Sequence, residues 1–313
     1  MTYRVPILLS FYGIGNGEST VLSGQLTYSS IRDFTFKDYS RRKTFRTLIN
    51  LYRTKPYADQ FIVLVFDKGK VHLKTDAYGS FYGKTTTDLS KAHLQKVVMV
   101  SGEEVKIIDG LFPTKVLSVD ADYIVVSDID DTLMHSYIYR KLLKVKTLMF
   151  TAVEKRKSVV AMQDLLKQFI LAKTAFFYLS NSEQNLHPLI YRFLNHHGFP
   201  FGPLFLKKMR SLWDVVWSVK FPFRNLHKEQ TLVNLFNLFP DKKFLLMGDN
   251  TQYDLPIYLA AAEKYPNQLH SIIIRKVIKK AEDEPLIKKN LTKLKENNIQ
   301  LYYASQFPEK FVL

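Results

Sequence analysis

The chain is 313 residues long, with 46% hydrophobic and 24% charged side chains, enough apolar content to bury one large core or two ordinary ones; this excludes a disordered chain. Lys and Arg number 45 against 29 Asp and Glu, a formal charge of +16 that favours anionic partners such as phosphate, nucleic acid or acidic lipid. With no Cys, a disulfide framework, a thiolate nucleophile and a cysteine-ligated metal are excluded.

Met1 to Leu9 carries one Arg and a short apolar run that soon meets Ser10, Tyr12, Gly13 and Gly15. This is too little for a secretory segment, and it reads as a first strand. Gly13-Ile14-Gly15-Asn16-Gly17 looks like a nucleotide loop, yet strand-like sequence follows where a helix is required, so it reads as a hairpin turn. Arg41 to Arg46, continuing to Arg53 and Lys55, is a basic stretch with interleaved aromatics. It reads as a solvated helix face or loop, with an anion-docking surface as the alternative. Ile62, Leu64 and Phe66 alternate, as do Val71 and Leu73, across an Asp67-Lys68-Gly69-Lys70 turn, which is a β-hairpin pattern. Asp76 and Gly79 mark a turn into another strand, with Val97–Val100 and Val105–Ile108 as later strands. Residues 1–118 thus read as a small β-sandwich.

From residue 119 strands alternate with helical segments, starting with the apolar run Tyr123-Ile124-Val125-Val126, the kind buried on both faces of a parallel sheet. Helical spacing follows over Val159 to Ile170, then a strand over Ala175–Leu179 and a helix over Leu186 to Leu194 that stops at Gly198. Leu232, Leu235 and Phe236 mark the next helix, Phe244–Met247 and Ser271–Ile274 two more strands, and Leu286 to Asn297 a Lys-rich helix. Residues 119–313 are therefore expected to form a doubly wound, mostly parallel α/β domain. No run approaches the ~20 apolar residues that span a bilayer, so a soluble, cytoplasmic protein is expected, with no transmembrane segment.

The strand Val125-Val126-Ser127 ends in Asp128-Ile129-Asp130-Asp131-Thr132, three carboxylates at the carboxyl end of a buried strand. Clustered acids there repel unless a cation or a shared proton relieves them, and Mg²⁺ is a hard, oxygen-seeking relief. An acidic helix cap is the alternative. The second strand runs into Ser180-Asn181-Ser182 ahead of a helix, a phosphate-site arrangement or a simple cap. The third ends in Gly248-Asp249, with Asp254 following, and between them Lys228 opens a helix, where the dipole disfavours a cation.

In this order, Asp-x-Asp-x-Thr, Ser, Lys and Gly-Asp-x-x-x-x-Asp resemble the haloacid dehalogenase-like phosphatase superfamily. Within it, Ser127–Thr132, Phe177–Ser182, Phe244–Asn250 and Asp254–Tyr258 are similar to the actin-patch-type phosphatidate phosphatase catalytic domain, over about residues 118–278. Met134 to Tyr139 is more aromatic than usual for that family, and Asn250 stands where a Ser is common. The resemblance implies a Rossmann-like sheet and a phosphatase that forms an aspartyl-phosphate. In it Asp128 is the nucleophile, Asp130 the acid and base, and Ser180 and Lys228 hold the phosphoryl oxygens. It also implies Mg²⁺ held by Asp128, the Asp130 carbonyl and Asp249, with Asp254 a ligand through water or an orienter of Lys228. Thr132 and Asn181 support the site, and Asp131 is expected to cap a helix.

Lys207, Lys208 and Arg210, followed by Trp213, Trp217 and Arg224, suit the headgroup region of an anionic membrane, although Trp at helical spacing also suits a core. The resemblance makes phosphatidate the expected substrate, with possible peripheral membrane contact. The alternatives are a phosphatase of a soluble or nucleic-acid phosphomonoester, and a non-catalytic scaffold docking on membranes or partners. His196-His197 lack metal spacing, which argues against zinc.

Overall fold

The structure is a computed structural model and describes residues 4–34, 41–136, 151–208, 226–307 and 311. It opens with an antiparallel hairpin of β1 (Val5–Gly15) and β2 (Thr20–Ser29). The turn expected at Gly13–Gly17 begins at Asn16, whose Oδ1 accepts from the N–H groups of Glu18 and Ser19. Gly13 and Gly15 lie inside β1 because the neighbouring chain passes close: a Cβ on Gly13 would sit 2.8 Å from Val116 Cγ2. The basic stretch folds as α1 (Arg41–Arg53), burying Leu48 and Leu51 and exposing Arg42 and Arg46.

The expected hairpin is β4 (Phe61–Phe66) with β5 (Gly69–Lys74). Around it lie β3 (Lys55–Pro56), β6 (Ser80–Thr85), β7 (Leu94–Met99), β8 (Glu104–Ile107) and β9 (Leu117–Ser118). The strand β8 pairs with β7 through Glu104 and Val105, then with β1 through Lys106 and Ile107. It thereby joins two strand sets into one nine-stranded sheet, ordered β3-β2-β1-β8-β7-β4-β5 with β6 on β2 and β9 on β1.

The remainder is built from β10 (Tyr123–Ser127), α2 (Val160–Leu171), β11 (Ala175–Glu183), α3 (His187–His196), β12 (Leu204–Lys207) and α4 (Leu226–Leu238). It continues through β13 (Lys243–Asp249), α5 (Asp254–Lys264), β14 (Leu269–Arg275), α6 (Asp283–Glu296) and β15 (Gln300–Ala304). The six strands are parallel, in the order β12-β11-β10-β13-β14-β15. The apolar runs are apolar throughout because successive side chains serve opposite faces. Val125, Phe176, Leu245 and Ile273 pack with Met162 and Phe169 of α2 and Phe193 of α3. Val126, Phe177, Leu246 and Ile272 pack with Leu235 of α4, Leu255 of α5 and Leu294 of α6. The first of these clusters also holds Ile7 and Leu64, so the β-rich part and the parallel-sheet part share one apolar interior.

The chain leaves β10 and β13, the two central strands, toward opposite faces, since α2 packs on one and α5 on the other. A crevice therefore opens at their carboxyl ends, the place where ligands bind in sheets of this kind. Among the described residues no helix is long and apolar enough to cross a membrane.

Candidate active site

Asp128 follows β10 directly and is buried, its N–H donating to the Met247 carbonyl (2.8 Å) of β13. The backbone then reverses: Asp131 has φ +56°, and the N–H groups of Leu133 and Met134 both donate to the Ile129 carbonyl. This reversal corrects the expected helix cap at Asp131, because residues 132–136 are turn and extended chain rather than helix. Instead Asp131 Oδ1 accepts from the Ser136 N–H (2.9 Å) and its carbonyl accepts from Arg275 Nε (3.0 Å), which ties the turn to β14.

Lys228, in the first turn of α4, is fully buried. Its Nζ donates to Asp128 Oδ1 at 2.7 Å and to Asp254 Oδ1 at 2.5 Å. Burial alone would depress its pKa, but the two carboxylates outweigh that and hold the ammonium protonated well above the usual lysine range. The cation disfavoured by the helix dipole is thus there to meet two buried acids. Thr132 Oγ1 lies 3.3 Å from Asp128 Oδ2 and 3.1 Å from Asp249 Oδ2, spanning the two strand ends. Asp249 Oδ1 accepts from the Thr251 N–H at 2.5 Å. Gly248 is needed beside it, since a Cβ there would lie 2.5 Å from Asp254 Oδ2.

Asp130 points elsewhere. Its Oδ1 accepts from Ser136 Oγ (2.6 Å), and its Oδ2 from Ser182 Oγ (2.9 Å) and Ser180 Oγ (3.2 Å). Ser180 is not at a helix N-terminus as expected: β11 continues to Glu183 and α3 begins only at His187. The strand stays extended here because β12 pairs with it as far as Glu183 opposite Lys207. Asn181 Nδ2 donates to Gln252 Oε1 at 3.1 Å, linking the ends of β11 and β13. Sequence reasoning assigned no role to Ser136 or Ser182. Ser182 lies in a motif already singled out, whereas nothing in local spacing marks Ser136, which reaches Asp130 through the reversal at Asp131. Asn250, where the resembled family commonly has Ser, accepts from the Val277 N–H (2.8 Å) and donates to the Ile278 carbonyl (2.7 Å), pinning the segment after β14.

Oxygen atoms of Asp128, Asp249 and Asp254 lie within 4.8 Å of one another. Three buried carboxylates and one buried ammonium leave two negative charges if all are ionised, and hard oxygen donors with that surplus fit a divalent cation such as Mg²⁺. The strain is visible in the acids. Burial pushes Asp128 well above the usual carboxylate range despite Lys228, and burial with the Asp254 charge pushes Asp249 up to about 7.

Of the expected membrane-facing residues, Lys207 is half-buried at the end of β12, and Lys208 is exposed and paired with Asp76 (2.8 Å). Arg210, Trp213, Trp217 and Arg224 lie outside the described residues.

Fold and site together define an α/β protein with a buried acid–lysine centre at the switch point of a parallel sheet. Residues 123–276, which contain that whole centre, match the family described as the catalytic domain of phosphatidate phosphatase APP1, and this part of the chain belongs to that family. Phosphatidate phosphatase APP1 of Saccharomyces cerevisiae is 30% identical over 218 residues, 67% of this chain and 35% of that protein. An uncharacterized protein of Schizosaccharomyces pombe is 25% identical over 236 residues, 74% of this chain and 38% of that protein. The chain thus spans little more than a third of the length of these relatives. The crystal structure of a carbohydrate acetylesterase from Xanthomonas citri aligns over 97% of this chain and 69% of its own, but at 10% identity and a TM-score of 0.28, a likeness that carries no argument.

Proposed function

We propose that the protein is a Mg²⁺-dependent phosphatase of the haloacid dehalogenase-like type that converts phosphatidate to diacylglycerol through a phosphoryl group carried on Asp128. The observation that carries this reading is the Asp128 carboxylate buried against Lys228 Nζ at 2.7 Å, with a second carboxyl, Asp130, two residues on. The substrate is taken from the yeast relative, whose name is that of a phosphatidate phosphatase.

In this reading Asp128 attacks phosphorus and an Asp128 Oδ–P bond forms as the bond from phosphorus to the lipid oxygen breaks. Asp130 gives its proton to the departing alkoxide, so diacylglycerol leaves neutral. Asp130 then takes a proton from the water that attacks the aspartyl-phosphate, which releases inorganic phosphate and restores Asp128. Lys228 and Ser180 hold the phosphoryl oxygens as charge builds on them. Asp128 and Asp249 would hold the Mg²⁺, which offsets charge on phosphate and carboxylates.

The test is phosphate release from dispersed phosphatidate, glycerol 3-phosphate and a 5′-phosphorylated oligonucleotide, each with Mg²⁺ and with chelator. Phosphatidate should be turned over fastest, and only with the metal. Release from the soluble esters alone would remove the lipid assignment, and no release from any would remove the enzymatic one.

Asp249 also sets a pH dependence of stability. Its folded pKa of about 7 exceeds the ordinary carboxylate value, so between about 4 and 7 the folded state binds the extra proton and stability falls as pH rises. Buried His187 and His227, held down to about 3 and about 4, act in the opposite sense over this range, so the decline should appear as the difference between melting curves of the unaltered protein and Asp249→Asn in chelator. Added Mg²⁺ should raise Tm more at pH 8 than at pH 5, and an equal rise at both would contradict it.

The hydroxyls on Asp130 predict a leaving-group effect. Ser136→Ala with Ser182→Ala leaves the acid poorly aimed, so kcat should fall roughly 10- to 100-fold for alkyl phosphates, whose alkoxide needs a proton. For p-nitrophenyl phosphate, whose leaving group needs none, the fall should be small. Equal losses on both ester types would show that these serines do not position the acid.

A further inference from the structure

A cleft of about 630 Å³ lies between β1, β2 and β6 on one side and β12 and α4 on the other. None of the catalytic groups above lines it. It has room for about 20 water molecules, and its walls are mixed: Ile14, Phe81 and Leu206 are buried apolar side chains, the tilted rings of Tyr12 and Phe205 touch at 4.9 Å between centroids, and Ser23, Ser80 and Gln184 add polar groups.

Its shape is informative. Along α4 the cleft is lined from His227 to Leu238, eleven helical steps or about 16 Å. One end is adjacent to Lys228, the residue after His227, whose ammonium holds Asp128. The same end carries Gln184, just past the Ser180 and Ser182 hydroxyls and bonded by Ser80 Oγ across the cleft at 2.6 Å. The outer rim is polar, with Asn234 and Lys84 exposed and Lys208 paired with Asp76, which also lines the cleft. An elongated cleft with apolar side chains along its length and lysines at its rim, starting one residue from the lysine assigned to phosphate, is complementary to one class of ligand.

We propose that this cleft holds the hydrocarbon tail of an anionic amphiphile whose phosphate is held at Lys228. The tail site deepens the phosphatase reading and depends on it for the phosphate end. It also accounts for the β-rich part of the chain, which supplies one wall of the cleft.

The experiment compares binding of dodecylphosphonate, below its aggregation concentration, with methylphosphonate by calorimetry on the full chain; neither has a P–O–C bond to hydrolyse. Dodecylphosphonate should bind at least tenfold more tightly. Asn234→Trp and Lys84→Trp bring an indole in from opposite walls, and each should cut that ratio at least fivefold. Because they lie on separate elements, a folding defect in one leaves the other to decide. Equal affinities in the unaltered protein, or a ratio untouched by both substitutions, would overturn the tail site. Tail-dependent binding that survives in a protein releasing no phosphate from any ester would support the cleft and remove the phosphatase reading.

Discussion

Replacing Asp128 with Asn should reduce phosphate release at least about 10⁴-fold, the scale expected when a nucleophile is removed from a site that otherwise stays intact. The amide is nearly isosteric, so Lys228 keeps Asp254 and an Oδ1 acceptor, and Thr132 keeps Asp249. What changes is charge. One of three crowded buried acids becomes neutral at the position where burial already pushes the carboxyl strongly toward its protonated form. Stability in chelator should therefore be unchanged or higher, while catalysis is lost. Phosphate release and thermal unfolding on the same preparation check both halves. More than a tenth of the original rate would show that another group attacks phosphorus.

Lys228→Met should be damaging on both counts. The ammonium is fully buried between Asp128 and Asp254, and breaking a buried pair by removing one partner costs about 3–5 kcal/mol, because the remaining charges stay in low dielectric. The rate should drop by about 10³-fold, the scale of losing one fixed donor aimed at developing charge. Adding Asp254→Asn should return part of the stability by removing one stranded carboxylate, with no return of activity. Chemical unfolding of the single and double variants measures the coupling. A double variant no more stable than Lys228→Met alone would show that the Lys228–Asp254 contact is not what the single substitution breaks.

Much of this was written locally in the amino-acid sequence. The unbroken apolar runs at 123–126, 175–179 and 244–247 each became a central strand buried on both faces. The acids, the serine and the lysine lie at or near the ends of these elements because side-chain hydrogen bonding and burial act over a few residues. The edge strands β12 and β15 are not marked in the sequence, since Leu-Phe-Leu-Lys and Gln-Leu-Tyr-Tyr-Ala are short or mixed runs that become strands by pairing with a neighbour already in place.

Tertiary structure alone decided how the acids divide their work. Asp128 and Asp130 are two residues apart, yet one faces Lys228 and the other three hydroxyls, one of them brought round by the reversal at Asp131. The cleft along α4 is likewise closed on its far side by β1, β2 and β6, more than a hundred residues distant in the chain. Local pattern specifies which residues leave water and in what conformation. Which charged groups then meet depends on register between distant strands, and no stretch of sequence carries that on its own.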